Sequence, residues 1–292
     1  MYYEEIAPFL NIYLETLNQS KISEALKYSI KGGKCIRSFI VKHIIETINP
    51  NNLSWEPIVA LELIQAASLI IDDLPSMDND EMRRGKPSTF KIFGEHETLL
   101  TSFFMISESL RILNTKIFQI TDNDDKDCRI AIKSIIDEWC ALLGRNLVVG
   151  QTIDLKGDCE EFFNIKFSNK EEINDTLIKY KTSSLFSFAF IIGIIFSNKN
   201  INIKDYKEMG YYFGVMFQLM DDYKDKETDD VFANYILAKG EAKARKKYIN
   251  ARTNLITLLA RNNLLTLKFK DLISLIDSKF INKTMPQLNL VL

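Results

Sequence analysis

Apolar residues along this chain recur at three- and four-residue steps, the spacing of helix faces. Ile135, Ile136, Trp139, Leu142 and Leu143 describe one such face, Leu255, Leu258 and Leu259 a second, and Leu272, Leu275, Ile276 and Phe280 a third. Two stretches, Val59–Ile71 and Leu185–Phe196, are apolar nearly all round and predict central helices. The punctuation agrees. All six prolines fall at Pro8, Pro50, Pro57, Pro75, Pro87 and Pro286, leaving none from Ser88 to Met285, where glycines are few and scattered. Strands joined by tight turns would need far more breaks than that. Charged stretches at Asp122–Asp127, Ser197–Lys204 and Lys226–Asp230 read as loops, and no repeat, low-complexity tract or linker interrupts the pattern. The expectation is one all-α domain over residues 1–292.

Composition narrows the chemistry. With 292 residues, 46% hydrophobic and 26% charged, the chain is long and apolar enough to bury a sizeable core. A formal charge of −2 gives no general attraction to nucleic acid or to an anionic membrane, so function must reside in local clusters. The four cysteines form no CxxC pair, and neither His43 nor His96 completes an ExxH or HExxH pattern, which argues against zinc hydrolysis and di-iron chemistry. The N-terminus is acidic from its fourth residue and reads as neither signal nor transit peptide. Leu185–Phe196, the longest strongly apolar stretch, is too short to span a bilayer. A cytoplasmic location without stable membrane insertion is the expectation.

The most informative segment runs from Leu61 to Phe90. There a buried-looking helix leads straight into Asp72 and Asp73, with Asp78 and Asp80 close behind and then Arg83 and Arg84. Carboxylates at the end of an apolar helix are unfavourable without a cationic partner. On a regular helix Asp72 and Asp78 would sit about 120° apart, but Pro75 can end the helix and fold Asp78 back. A solvated acidic helix end explains this stretch equally well on its own.

A second cluster shifts that balance. Gly214–Asp225 is another apolar helix ending in acids, with Asp221 and Asp225 four apart on one face and Asp222 beside them. Two such helices, with hard oxygen donors and no His or Cys, point to Mg²⁺, which typically bridges to substrate phosphates. Cations accompany them. Lys34 and Arg37 follow the double glycine Gly32–Gly33, Arg83 and Arg84 precede Gly85, and Lys181–Thr182 interrupts an apolar helix. Together they suit two separate anionic groups, with Arg matching phosphate geometry best.

These residues resemble the all-trans isoprenyl diphosphate synthases, the head-to-tail prenyltransferases, over nearly the whole chain. Asp72-Asp73-Leu74-Pro75-Ser76-Met77-Asp78 resembles the first aspartate-rich motif in the longer form found in bacterial farnesyl and plant geranylgeranyl synthases. Phe217–Asp225 resembles the second, and Gly150-Gln151-Thr152-Ile153-Asp154-Leu155 resembles a GQxxDL segment. The resemblance implies an isoprenoid-synthase helical bundle around a central apolar cavity, working as a homodimer. It implies Asp72 and Asp78 as ligands of two Mg²⁺ and Asp221 as ligand of a third, with Asp73 and Asp222 in support. Arg83, Lys181, Thr182, Phe217 and Gln218 would serve the allylic diphosphate. Gly33, Lys34, Arg37, Gln65 and Arg84 would hold isopentenyl diphosphate, and Gln151 and Asp154 would line the cavity.

The chain departs from that pattern in places. Cys35 and Ser38 stand where GGKRxRP has Arg and Pro, Ile71 replaces a common His, and Phe103 stands where Asp is frequent. After Asp225 the usual loop is shortened and its later Lys has no clear counterpart, leaving Lys224 or Lys226 to substitute. An active synthase, a class I terpene synthase-like protein and a non-catalytic subunit all fit the fold. The retained Lys34, Arg37, Gln65 and Arg84, with six intact motif aspartates, favour the first. For product length, Ala67 and Ser68 lie five and four residues before Asp72, where bulky aromatics in the family close the pocket near fifteen carbons. Both are small, so Ile64 and Phe103 or Phe104 become the expected floor and geranylgeranyl diphosphate the expected product, with farnesyl diphosphate as the alternative.

Overall fold

Helices follow one another from the first described residues to the last. The computed structural model describes residues 2–120, 133–157, 160–167, 170–197, 203–227 and 234–284. Most of the three expected charged loops lies outside those residues. Packing divides the chain into two compact units, Met1–Ile135 with Ile192–Lys199, and Ile136–Ile191 with Asn200–Leu292.

The first unit holds α1 (Tyr3–Glu15), α2 (Lys21–Ile30), α3 (Ile36–Ile48), α4 (Trp55–Asp72), α5 (Thr89–Phe93) and α6 (Glu95–Ile120). A capping box starts α2: Ser20 Oγ accepts from Ser23 N–H at 3.1 Å, and Ser23 Oγ accepts from Ser20 N–H at 2.9 Å. The expected central helix is α4, buried from Pro57 to Ile64 and packed chiefly against α6. On α6 the hydroxyls of Thr98 and Ser102 turn back to the carbonyls of Gly94 and Thr98, so these two small polar side chains sit buried with their hydrogen bonds made. One element was not expected. Met82–Arg83 and Lys86–Pro87 form a two-stranded hairpin, and both turn residues, Arg84 (φ 56°) and Gly85 (φ 75°), adopt the left-handed backbone of a type I′ turn.

The second unit begins at Ile136, within a helical stretch, 133–138, which passes through the π-helical Trp139–Asn146 into α7 (Leu147–Lys156). Then come α8 (Glu160–Phe163), α9 (Lys170–Leu177), the π-helical Ile178–Ser183, and α10 (Ser184–Phe196), whose residues from Ile192 on count with the first unit. It closes with α11 (Ile203–Lys224), α12 (Tyr235–Lys239), α13 (Glu241–Arg261) and α14 (Leu267–Thr284). Glycines set the spacing here. A Cβ on Gly210 would lie 2.3 Å from Ser187 Cα, and one on Gly214 would lie 2.5 Å from Ser183 Cα, so α11 lies directly on the backbone of the π turn and α10. Every residue of α10 is buried, as its all-round apolarity predicts. The continuous helix Glu172–Phe196 is long and apolar enough to cross a membrane by length and composition, longer than the apolar stretch suggested, yet 83% of its most apolar window is buried inside the protein.

Candidate active site

Helix α4 ends where its acids begin. The chain leaves the helix after Asp72 and turns through the exposed Pro75, and Asp78 N–H donates to Asp72 C=O at 2.9 Å. The fold-back expected of Pro75 is therefore present, and it places two partly open aspartates on one turn. Asp73, between them, is buried and ion-paired to Arg83. Burial pushes the Asp73 carboxyl above its ordinary value, and the Arg83 guanidinium pulls against that rise. Gln65 and Ser68 lie seven and four residues before Asp72, within roughly 40° of it around the helix, and share its partly exposed face. Ile64 and Ala67 point elsewhere and are buried. A small pocket, open to solvent, lies between α2, the end of α4 and the hairpin, lined among others by Tyr28, Leu69, Asp73, Arg83, Arg84 and Lys86.

The double-glycine turn comes to the same end of the unit. Gly33 is buried, and a Cβ there would lie 3.0 Å from Glu62 Oε1 and 3.2 Å from Arg84 Nη1. Lys34 is exposed and Arg37 half-buried on the first turn of α3. Arg84 Nη1 donates to the carbonyls of Ser29 at 3.3 Å and Lys31 at 3.4 Å. Among the described residues, five that are not glycine have positive φ, and three of these are Asn, which tolerates it. The other two are Cys35 (φ 52°), at this turn, and Arg84, in the hairpin turn, whose side chain reaches it. Such backbone strain costs about 1–3 kcal/mol per residue and persists where the surroundings hold it. Glu62 was missed in the sequence, although a single acid inside the apolar run Pro57–Ile64 was a readable signal.

In the second unit a separate group of candidate residues is built on the π turn. A Cβ on Gly150 would lie 2.5 Å from Lys181 N, so the GQxxDL segment rests on the turn's backbone. The buried face of α7, Val149 and Ile153, packs on Leu177 with Tyr180 against it. That contact brings Asp154 to Lys181, and the two form an ion pair. Gln151 is partly exposed one turn before Asp154. Thr182 Oγ1 donates to Gln218 Oε1, and Gln218 Nε2 donates to Asp222 Oδ1 at 2.7 Å. Asp222 is only 1% exposed and also accepts from Tyr235 N–H at 2.9 Å, while Asn234 Nδ2 donates to the Asp222 carbonyl at 2.7 Å. Asn234 was the second residue missed. Gln218 and Asp221 lie on the partly open face of α11, Asp225 follows directly after the helix, and Phe217 is buried against Phe186, ring centres 5.2 Å apart. Lys224 pairs with Asp225 at 2.7 Å, whereas most of the shortened loop, 228–233, lies outside the described residues.

Two candidates fall away from these clusters. Phe103, expected as a pocket floor, is 60% exposed, and Phe104 is 38% exposed; Met105 is the buried member of that trio. Both phenylalanines share an outward stripe of α6 with Leu99 and Leu100. Among the described residues no three of His, Cys, Asp and Glu converge into a cage for a metal ion. Partly open carboxylates without a cage fit Mg²⁺, which shares its coordination between a few carboxylates, water and substrate phosphates.

Helical layering, paired acid segments and cationic turns define a class, the trans-prenyltransferases. The sequence pattern described as polyprenyl synthetase matches residues 19–234. The chain is 31% identical over 229 residues to the farnesyl diphosphate synthase of Micrococcus luteus, covering 75% of this chain and 73% of that one. It is also 31% identical over 211 residues to geranylgeranyl pyrophosphate synthase 6, mitochondrial, of Arabidopsis thaliana, covering 70% of this chain and 60% of that one. Its fold resembles the crystal structure of geranyltranstransferase from Thermotoga maritima, with a TM-score of 0.76 at 26% identity over 95% of this chain and 98% of the other. The chain belongs to the polyprenyl synthetase family. Members of that family use Mg²⁺ to bind diphosphate.

Proposed function

We propose that the protein condenses isopentenyl diphosphate with an allylic diphosphate, with geranylgeranyl diphosphate as the main product. The observation that carries this reading is the turn after α4, where Asp78 N–H closes on Asp72 C=O and Arg83 is latched to the buried Asp73. It presents two carboxylates beside cations at the end of an apolar helix, the arrangement a diphosphate leaving group requires. Asp72 and Asp78 hold two Mg²⁺ and Asp221 a third. When bound, those ions neutralise the charge that develops on the diphosphate as its bond to carbon breaks. Lys181, kept in place by Asp154, and Thr182 and Gln218, tied to each other, orient the allylic diphosphate. Lys34, Arg37, Gln65 and Arg84 hold isopentenyl diphosphate so that its double bond meets the allylic carbon. The carbon–oxygen bond breaks with its electron pair going to pyrophosphate, the new carbon–carbon bond forms from the isopentenyl double bond, and a proton leaves to the released pyrophosphate. No side-chain nucleophile takes part.

The twenty-carbon product rests on Ala67 and Ser68, the small residues ahead of Asp72. Farnesyl diphosphate is the second reading, favoured by likeness to the Micrococcus luteus farnesyl diphosphate synthase. Purified protein, Mg²⁺, labelled isopentenyl diphosphate and each allylic primer in turn will decide. Elongation to a mainly C20 product is expected, and no elongation from any primer would overturn the assignment. We also propose that two chains pair through the outward stripe of α6, because four large apolar side chains in the open on one helix are unfavourable in water.

A further inference from the structure

We infer that Glu62 is a positioning residue: its buried carboxylate holds the Gly33–Arg37 turn and Arg84 together as one surface for the diphosphate of isopentenyl diphosphate. The inference rests on the prenyl-transfer reading above. Glu62 lies in the middle of α4, 2% exposed, where an acid is kept only by specific partners. Those partners are on the turn. Ser38 Oγ donates to Glu62 Oε2 at 2.8 Å, while the Cys35 thiol donates to the Gly33 carbonyl at 3.6 Å and feels the Glu62 charge. Burial and the Glu62 charge push that thiol up, which keeps the sulfur protonated.

Cys35 and Ser38 are the two positions where this turn departs from the GGKRxRP pattern. Ser38 donates to Glu62, Cys35 braces the turn through the Gly33 carbonyl, and both side chains are neutral donors. Ser38 meets one carboxylate oxygen with a neutral donor, and the other oxygen, Oε1, lies across Gly33 from the Arg84 guanidinium. Gly33 is the spacer, since a Cβ there would sit within 3.0 Å of Glu62 Oε1 and 3.2 Å of Arg84 Nη1. The two non-Asn residues with left-handed backbone, Cys35 and Arg84, flank this contact. Strain concentrated around one buried acid is what a turn held in a fixed conformation shows. Lys34 and Arg37 leave the same turn, so a shift of its backbone moves both cations at once.

The test is Glu62→Gln, which keeps the size and one acceptor for Ser38 but removes the charge. Steady-state rates with Mg²⁺ should show KM for isopentenyl diphosphate raised about tenfold, with KM for the allylic primer and saturated kcat changed by less than about twofold. Calorimetric titration with isopentenyl diphosphate alone should show the same loss. Ser38→Ala, which keeps the acid and removes one donor, should raise the isopentenyl KM by about threefold, and it decides the matter should Glu62→Gln fail to fold. An unchanged isopentenyl KM, or equal shifts for both substrates, overturns the role given to Glu62. A wild-type protein that elongates no primer overturns the prenyl-transfer reading and this inference with it. Turnover by the wild type with an unmoved variant KM overturns the inference alone.

Discussion

Gly150 rests on the backbone of Lys181, so close that a methyl group in place of its hydrogen would lie 2.5 Å from the Lys181 nitrogen. One helix of the second unit thereby sets the height of the π turn that carries Lys181 and Thr182. Bulges of this kind recur at functional sites because they re-aim a side chain out of the helical ladder.

Gly150→Ala should therefore act on the allylic side of the reaction. The added methyl must push α7 or the turn away and part Asp154 from Lys181. Overpacking of this sort costs about 1–3 kcal/mol, visible as a lower Tm. The KM for the allylic primer should rise by about tenfold or more, with the isopentenyl KM less affected. Wild-type values for both would show that the contact does not govern Lys181.

Three acids of the two aspartate segments should separate by role. Asp72→Ala and Asp221→Ala remove partly open carboxylates, so circular dichroism should stay helical while turnover falls by several orders of magnitude. Chelation with EDTA should abolish wild-type turnover, and added Mg²⁺ should restore it. Asp222→Asn should differ. Its oxygens accept from Gln218 and from Tyr235 N–H, and an amide placed there turns one acceptor into a donor against a donor. Stability should drop by about 1–3 kcal/mol together with turnover. Near-native turnover in Asp72→Ala or Asp221→Ala would sink the metal assignment.

Much of this was legible from the chain itself. All-round apolarity marked α4 and α10 as central, and Pro75 between the acids announced the fold-back of Asp78 on Asp72. The hairpin was not legible. Its turn uses Arg84 at a position where Asn, Asp or Gly is usual, so the local signal was absent and surrounding contacts impose the conformation. The π turns were hidden for a related reason. Ile178–Ser183 keeps a helical pattern, and the bulge follows from glycines far away in sequence, Gly150 and Gly214. Asp221 and Asp222 looked alike as neighbours. Only the tertiary partners of Asp222 show that one is open and the other is a bracket between α11 and the start of α12.

Pairing of two chains predicts a solution mass of about twice 33.7 kDa by light scattering at assay concentrations. Phe103→Asp places a charge in the middle of the outward stripe of α6, where Phe103 is 60% and Phe104 38% exposed in the single chain. Burying that charge against a partner is costly, so the variant should run as a monomer with its helicity intact. A wild-type monomer would refute the pairing, and a Phe103→Asp dimer would move the interface elsewhere.

Product length turns on the helix that leads to Asp72. In the proposed reading the diphosphate sits at the aspartates and the growing tail runs back along α4, each isoprene unit taking up roughly one helical turn, about 5 Å. Ser68 shares the partly open face of Asp72, and its hydroxyl donates to Gln65 C=O at 3.0 Å, which leaves little bulk at that level. Ala67 is fully buried and points to a different face, and Ile64, one turn further up, is buried as well. With Phe103 on the outside of the single chain, Ile64 is the stronger candidate for the floor. Two substitutions separate the faces. Ser68→Phe should fill the Asp72 face and shift the main product from C20 to C15. Ala67→Tyr should give the same shift only where the tail also passes the buried face; otherwise its ring has no room, and it lowers Tm instead. Product analysis by chromatography, read beside thermal melts, distinguishes these outcomes. A wild type that already stops at fifteen carbons, or no change in chain length from either variant, would place the floor away from α4.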